Sequence, residues 1–151
     1  LLYYGGHSRS SARMQLELTK NIINNQIEGT KAKESKTTEA MLELKQSAFD
    51  MKDYIFTGNT EAFAESMRRG WEQKKRTSDI VSNKELEETI SFVLSHGAEA
   101  VKVSGAGGGG FLLVYVNPVN RQFLINEMAA LPGKTYPVNF TKNGAESWIN
   151  D

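Results

Sequence analysis

The chain contains no cysteine, and its 151 residues include only two histidines and three prolines. Without thiols there are no disulfides, thiolate nucleophiles, cysteine-ligated zinc sites or iron–sulfur clusters, and the composition fits a reducing cytoplasm. His7 and His96 stand far apart in the sequence with no second pair, so neither a metal centre nor a histidine base is expected. An excess of one charge is also missing. Eighteen Lys and Arg balance 18 Asp and Glu, which argues against a chain built to grip nucleic acid or an anionic membrane. The longest apolar run, Phe111 to Val116, falls far short of the roughly 20 residues of a membrane span. The start lacks the basic region and apolar stretch of a signal peptide. It also lacks Met: Leu1-Leu2-Tyr3-Tyr4 reads as a buried strand entered midway. The chain, residues 1–151, is therefore expected to be one domain, the second half of a longer protein.

What is present is mostly helical periodicity. After Gly5-Gly6 and the polar loop His7 to Ser11, apolar residues recur from Ala12 at Met14, Leu18 and Ile22, with Leu16, Ile23 and Ile27 beside them, as far as Gly29. Thr30 to Thr37 is lysine-rich and reads as a loop. A second helix is expected over about 38–56, with Met41, Leu44, Ala48, Met51 and Ile55 inward and Gly58 closing it. Asn59 or Thr60 would cap a third, with Phe63, Met67 and Trp71 on one stripe and Lys74-Lys75-Arg76 in the last turn, where the dipole favours cations. Ser82-Asn83-Lys84-Glu85 reads as a capping box before Leu86, Ile90, Val93 and Leu94.

The period then changes from 3.6 to 2. Val101 and Val103 lead into Ser104-Gly105-Ala106-Gly107-Gly108-Gly109-Gly110, and Phe111 to Val116 follows as a buried strand. Asn117-Pro118 opens a helix with Phe123, Leu124, Met128 and Leu131 inward. Tyr136, Val138 and Phe140 alternate, Asn143-Gly144 is a type I′ hairpin signal, and Ala145 to Ile149 would return. Strands are not separated by single crossover helices. The expected class is α+β, an antiparallel sheet with helices packed on one face.

The glycine run formally fits G-x-G-x-x-G, but a dinucleotide site needs a helix immediately after it, and strand chemistry follows instead. A Walker loop is excluded because no Gly-Lys-Ser/Thr is present there. What remains is a strand–loop–strand element. Five glycines within six residues make physical sense where backbone N–H groups turn toward an anion, or where another segment approaches closely. A flexible hairpin connection is the plainer reading.

The segment Ala100 to Leu113, centred on that run, resembles the third, C-terminal signature of the GHMP kinases, the superfamily of galactokinase and of homoserine, mevalonate and phosphomevalonate kinases. Three further stretches are similar to its heptose 7-phosphate kinase and fucokinase-like branch. Leu1 to Ala12 resembles the strand and Arg-containing loop that open the second domain. Trp71 to Arg76 with Val81-Ser82-Asn83 resembles its "W-x-x-K-R … I-S-N" stretch, and Tyr136 to Ile149 its closing hairpin. The chain departs from that branch at Gly6-His7 and at Asn83-Lys84, and it carries neither the N-terminal signature nor the central nucleotide loop.

The resemblance implies a ferredoxin-like C-terminal domain of an ATP-dependent sugar kinase. ATP and Mg2+ would be held mainly by its own N-terminal domain, and a sugar phosphate would be the small-molecule substrate. It implies that Ser104, Gly105, Ala106, Gly107, Gly108, Gly109 and Gly110 face phosphate, and that Ser8, Arg9, Lys75 and Arg76 meet the sugar phosphate. No catalytic or metal-ligating residue is expected in this half, and neither nucleic acid nor a membrane is an expected partner. From the residues alone, Lys74, Lys75 and Arg76 are explained by the helix end, Trp71 by the core, and Glu85, Glu87 and Glu88 by a solvated face. The competing reading is a non-catalytic α+β module that binds an anionic ligand or a partner protein.

Overall fold

A computed structural model describes residues 1–6, 12, 13, 15–17, 19, 20, 23 and 31–148, with backbone alone for 31–35. Four strands, β1 (Leu2–Tyr4), β2 (Ala98–Val103), β3 (Phe111–Val116) and β4 (Lys134–Tyr136), form one sheet in the order β2-β3-β1-β4. Every neighbouring pair is antiparallel. The helices are α1 (Lys31–Thr57), α2 (Thr60–Thr77), α3 (Lys84–Ser95) and α4 (Arg121–Met128), the last entered through a 3-10 turn at Pro118–Asn120. The described positions between 12 and 23 are helical too, as the periodicity from Ala12 predicts, with Leu16 and Ile23 exposed. Among the described residues no helix is long and apolar enough to cross a membrane.

Alternation along the strands sends Tyr3, Val101, Val103, Leu112 and Val114 into the main core. There they meet Leu86, Ile90 and Val93 of α3 and Leu124 and Met128 of α4. This is the expected helix-covered face. α2 lies beside the edge strand β2, where Arg68 donates to the Glu99 carbonyl and so covers an otherwise open strand edge. Its Ala64 and Met67 pack with Ala100, Leu113 and Tyr115, which alternate away from the main core. Phe63 meets Tyr115 edge-on, with ring centroids 5.2 Å apart.

Several boundaries differ from the sequence reading, each for a physical reason. α1 starts at Lys31, so the stretch taken for a loop is helical from there. Lys, Ala and Glu are good helix formers, and neither Gly nor Pro intervenes before Gly58. Its buried seam is Thr37, Ala40 and Ser47, with Met51 half-buried, whereas Met41, Ala48 and Ile55 are exposed. Small side chains let α1 approach α2, where Ala64 and Ser66 are also buried; side-chain size, not hydrophobicity, selects the contact face. Asn83, not Ser82, caps α3 by accepting from the Leu86 N–H at 2.9 Å, and Leu94 and Phe123 turn outward.

The closing hairpin is absent. After β4 the described chain forms no strand; Val138, Phe140 and Trp148 are exposed, and neither Asn143 nor Gly144 takes the positive φ that a type I′ turn requires. Pro137 has no N–H to extend the β4 ladder. Ile149 lies outside the described residues.

Candidate functional site

The β2–β3 connection is closed at its base by the Ser104 N–H, which donates to the Phe111 carbonyl at 2.7 Å. Beyond that closure the glycines do what other residues cannot. Gly105, Gly107, Gly108, Gly109 and Gly110 all have positive φ, between 74° and 141°. Gly107 and Gly108 are buried against the turn that precedes α3. The Gly108 N–H donates to the Val81 carbonyl at 2.6 Å, and a Cβ on Gly107 would stand 2.9 Å from that same oxygen. Asn83 contributes twice: its side-chain oxygen caps α3, and its Nδ2 donates to the Gly108 carbonyl at 3.3 Å. On the other flank the Gly110 carbonyl accepts from Gly5 at 3.2 Å, tying the loop to the end of β1. The run is therefore fixed at both flanks and in the middle, which excludes the flexible-connection reading.

Gly108, Gly109 and Gly110 form one wall of a crevice of about 370 Å³. Tyr3, Leu112, Leu131 and Pro132 also line it, together with Asn83 at the cap of α3 and Glu85, Glu88, Thr89 and Phe92 within α3. The chemistry divides in two. The glycine wall offers main-chain polar groups that a phosphate oxygen can approach without meeting a side chain. The α3 wall offers carboxylates, which accept from sugar hydroxyls and repel phosphate. Glu85 and Glu88, read from sequence as a solvated face, thus border the crevice. Their i, i+3 spacing on one side of α3 was the available signal. Glu87 instead accepts from the Ser82 hydroxyl and pairs with Lys75 at 3.3 Å.

The other expected site residues distribute unevenly. Ser104 is exposed at the loop's base, and Gly105 and Ala106 precede the portion that lines the crevice. Ser8 and Arg9 lie outside the described residues. Lys75 sits over the Trp71 ring, 5.9 Å from its centroid, and pairs with Glu72 at 2.8 Å. Burial alone would lower its pKa, but the Glu72 hydrogen bond and the nearby Glu87 and Glu72 charges reverse the sign and raise it. Arg76 pairs with Glu39 of α1 at 3.0 Å. Neither Lys75 nor Arg76 borders the crevice. The lysine that reaches the glycine loop is Lys74, whose Nζ donates to the Gly105 carbonyl at 2.8 Å. Desolvation, and then the charge of Lys102, lowers its pKa. From sequence Lys74 shared the helix-end explanation with Lys75 and Arg76, and the resemblance carried only those two into the expected site.

The family model described as GHMP kinases C terminal matches residues 51–133. The chain belongs to this family. Its β2–loop–β3 element and α2–α3 turn both fall within the matched GHMP segment. A curated relative, the D-glycero-alpha-D-manno-heptose 7-phosphate kinase of Campylobacter jejuni subsp. jejuni serotype O:2, is 37% identical over 115 residues, covering 76% of this chain and 34% of that enzyme. The chain thus spans about a third of the length of the curated relative it matches. Among solved structures, L. major mevalonate kinase in complex with R-mevalonate superposes with a TM-score of 0.69 at 17% identity, over 87% of this chain and 38% of that one. Streptococcus pneumoniae phosphomevalonate kinase in complex with phosphomevalonate and AMPPNP gives 0.65 at 17% identity, over 89% and 36%. At that identity the two structures establish the GHMP C-terminal fold and nothing finer.

Proposed function

We infer that this domain is the C-terminal half of a cytoplasmic, ATP-dependent sugar kinase whose substrate is a heptose 7-phosphate. In the reaction, a sugar hydroxyl oxygen attacks the γ-phosphorus of ATP. A new O–P bond forms, the bond from the γ-phosphorus to the β,γ-bridging oxygen breaks, ADP leaves with that electron pair, and the hydroxyl proton is released. Such transfers depend chiefly on positioning and on stabilising charge at the phosphoryl oxygens. One observation carries this reading: a crevice walled by Gly108, Gly109 and Gly110, whose backbone conformations L side chains rarely adopt. The curated heptose 7-phosphate kinase relative supports the substrate class.

In this reading the loop admits a phosphate oxygen to its main chain, and the Glu85 and Glu88 carboxylates take sugar hydroxyls on the opposite wall. Ser8 and Arg9 approach the sugar phosphate from the segment after β1, where a guanidinium can fork onto phosphate. Lys75 and Arg76 act at a distance by holding α2 to α3 and α1. Among the described residues no group of three or more His, Asp or Glu could hold a metal ion. Mg2+ is proposed to be held mainly by the N-terminal domain, as the family resemblance implies.

The test is a phosphorylation assay of the intact protein with ATP against a panel of hexoses, heptoses and their phosphates. The reading expects ADP release that depends on a heptose 7-phosphate, with this chain alone inactive. A non-catalytic module predicts ligand binding without turnover at any sugar.

A further inference from the structure

α1, α2 and β2 line a second, smaller cavity of about 120 Å³. Its charged lining residues are Lys74 and Lys102, and no described carboxylate borders it. Neither lysine forms an ion pair with a described residue, although eight such pairs involve other side chains. Two further donors stand in a lining that is otherwise largely apolar, with Leu44, Ala48, Met51 and Met67. Trp71, 4% exposed, and Ser47, 3% exposed, leave Nε1 and Oγ buried with no hydrogen-bond partner. Buried donors without partners are costly, at roughly 1–3 kcal/mol each. Water could satisfy the indole N–H and the hydroxyl, but it could not neutralise two ammonium groups; burial first, and then the charge of Lys102, already lowers the pKa of Lys74.

We propose that the cavity bordered by Ser47, Trp71, Lys74 and Lys102 is a binding site for a small tetrahedral oxyanion, distinct from the crevice, with which it shares no lining residue. An anion there would take charge-assisted bonds from both lysines, one from the indole N–H and one from the serine hydroxyl. The volume accommodates phosphate or sulfate and excludes a nucleotide. Because Lys74 also holds the Gly105 carbonyl, the bound anion would share a residue with the root of the glycine loop.

The test is titration of the intact protein with inorganic phosphate, and in parallel with a hexose 6-phosphate, followed by calorimetry and by indole fluorescence in a Trp148→Phe background. Inorganic phosphate is expected to bind and to perturb Trp71. Lys102→Met, and separately Ser47→Ala, which deletes only the hydroxyl donor, should each weaken phosphate at least about tenfold, the scale of one charged hydrogen bond. If the hexose phosphate competes equally and its binding is weakened by the same variants, the phosphoryl group of a larger molecule is the source; if it does not bind there, free anion is. Lys102→Met should also melt higher than the wild type in phosphate-free buffer, because it removes the repulsion. The proposal is overturned if phosphate fails to bind, or binds with affinity unchanged in both variants. It is likewise overturned if Lys102→Met melts no higher than the wild type without phosphate.

Discussion

The main chain of Val81 occupies the place where a side chain on Gly107 would begin. Its carbonyl oxygen would lie 2.9 Å from a Cβ there and accepts the N–H of the next residue, Gly108, at 2.6 Å. A single peptide group thus selects two consecutive glycines, one for lack of space and one for its donor.

Gly107→Ala should therefore be markedly more damaging than Gly105→Ala. Both positions have positive φ, but a Cβ at Gly105 meets open space. Gly105→Ala should cost on the order of 1–2 kcal/mol, the price of a left-handed backbone with a side chain. Gly107→Ala adds displacement of Val81 and should exceed it by at least about 1 kcal/mol. Urea denaturation of the pair measures the difference, and equal losses would mean that Val81 gives way freely.

That contact is one the residue types do not encode. The glycine loop, its flanking strands and the helix-covered antiparallel sheet were legible because φ > 0 and period-2 alternation leave direct traces in residue type. The partner of the loop was not. Nothing in Val81-Ser82-Asn83 says that the Val81 carbonyl will meet Gly107 and Gly108, since tertiary contacts of main-chain atoms carry no side-chain signature. The terminal hairpin failed for the converse reason. Asn143-Gly144 encodes a turn only where a strand is available to pair, and Pro137 interrupts the ladder. The α1 seam was misjudged because close helix packing favours small residues such as Ala40 and Ser47 over the larger Met41 and Ile55.

Asn83 joins helix and loop, so its variants should separate the two roles. Asn83→Ala loses the cap to Leu86 and the bond to the Gly108 carbonyl and should lower stability by about 1 kcal/mol or more. Asn83→Asp keeps the capping oxygen but not the donor, so it should recover most of the stability while leaving the loop loosened. Thermal melting together with amide exchange at Gly108 and Gly109 distinguishes them; identical behaviour of the two variants would remove the link to the loop.

Gly133 should be among the least tolerant positions. A Cβ there would collide with the Tyr4 carbonyl oxygen and the ring of Tyr3, and its N–H donates to the Tyr3 hydroxyl at 3.0 Å. Tyr3→Phe should cost only about 1 kcal/mol, one hydrogen bond with the ring packing retained. Gly133→Ala should cost more than Tyr3→Phe, and denaturation midpoints of the two give the order directly.

Lys75 predicts a pH dependence. Its folded-state pKa is raised, mainly against the pull of burial, by Glu72 and Glu87. Its contribution is therefore complete below the ordinary lysine value of about 10.4 and is lost as pH climbs above it. Lys75→Met should lower stability on the order of 1 kcal/mol at pH 7, less at high salt, and the deficit should shrink above pH ~10.5. The Michaelis constant for the sugar substrate should barely move. A large rise in that constant with stability intact would make Lys75 a substrate contact.

The most direct test of the kinase account is steady-state turnover of the intact protein carrying Gly109→Ala, with ATP and heptose 7-phosphate. Gly109 borders the crevice and has a φ of 141°, so a methyl group there alters the wall that phosphate is to approach. The account predicts a folded variant whose kcat falls by roughly 10²-fold or more, the scale of losing one well-placed oxyanion donor. A folded Gly109→Ala variant with wild-type kcat and KM for both substrates would contradict it.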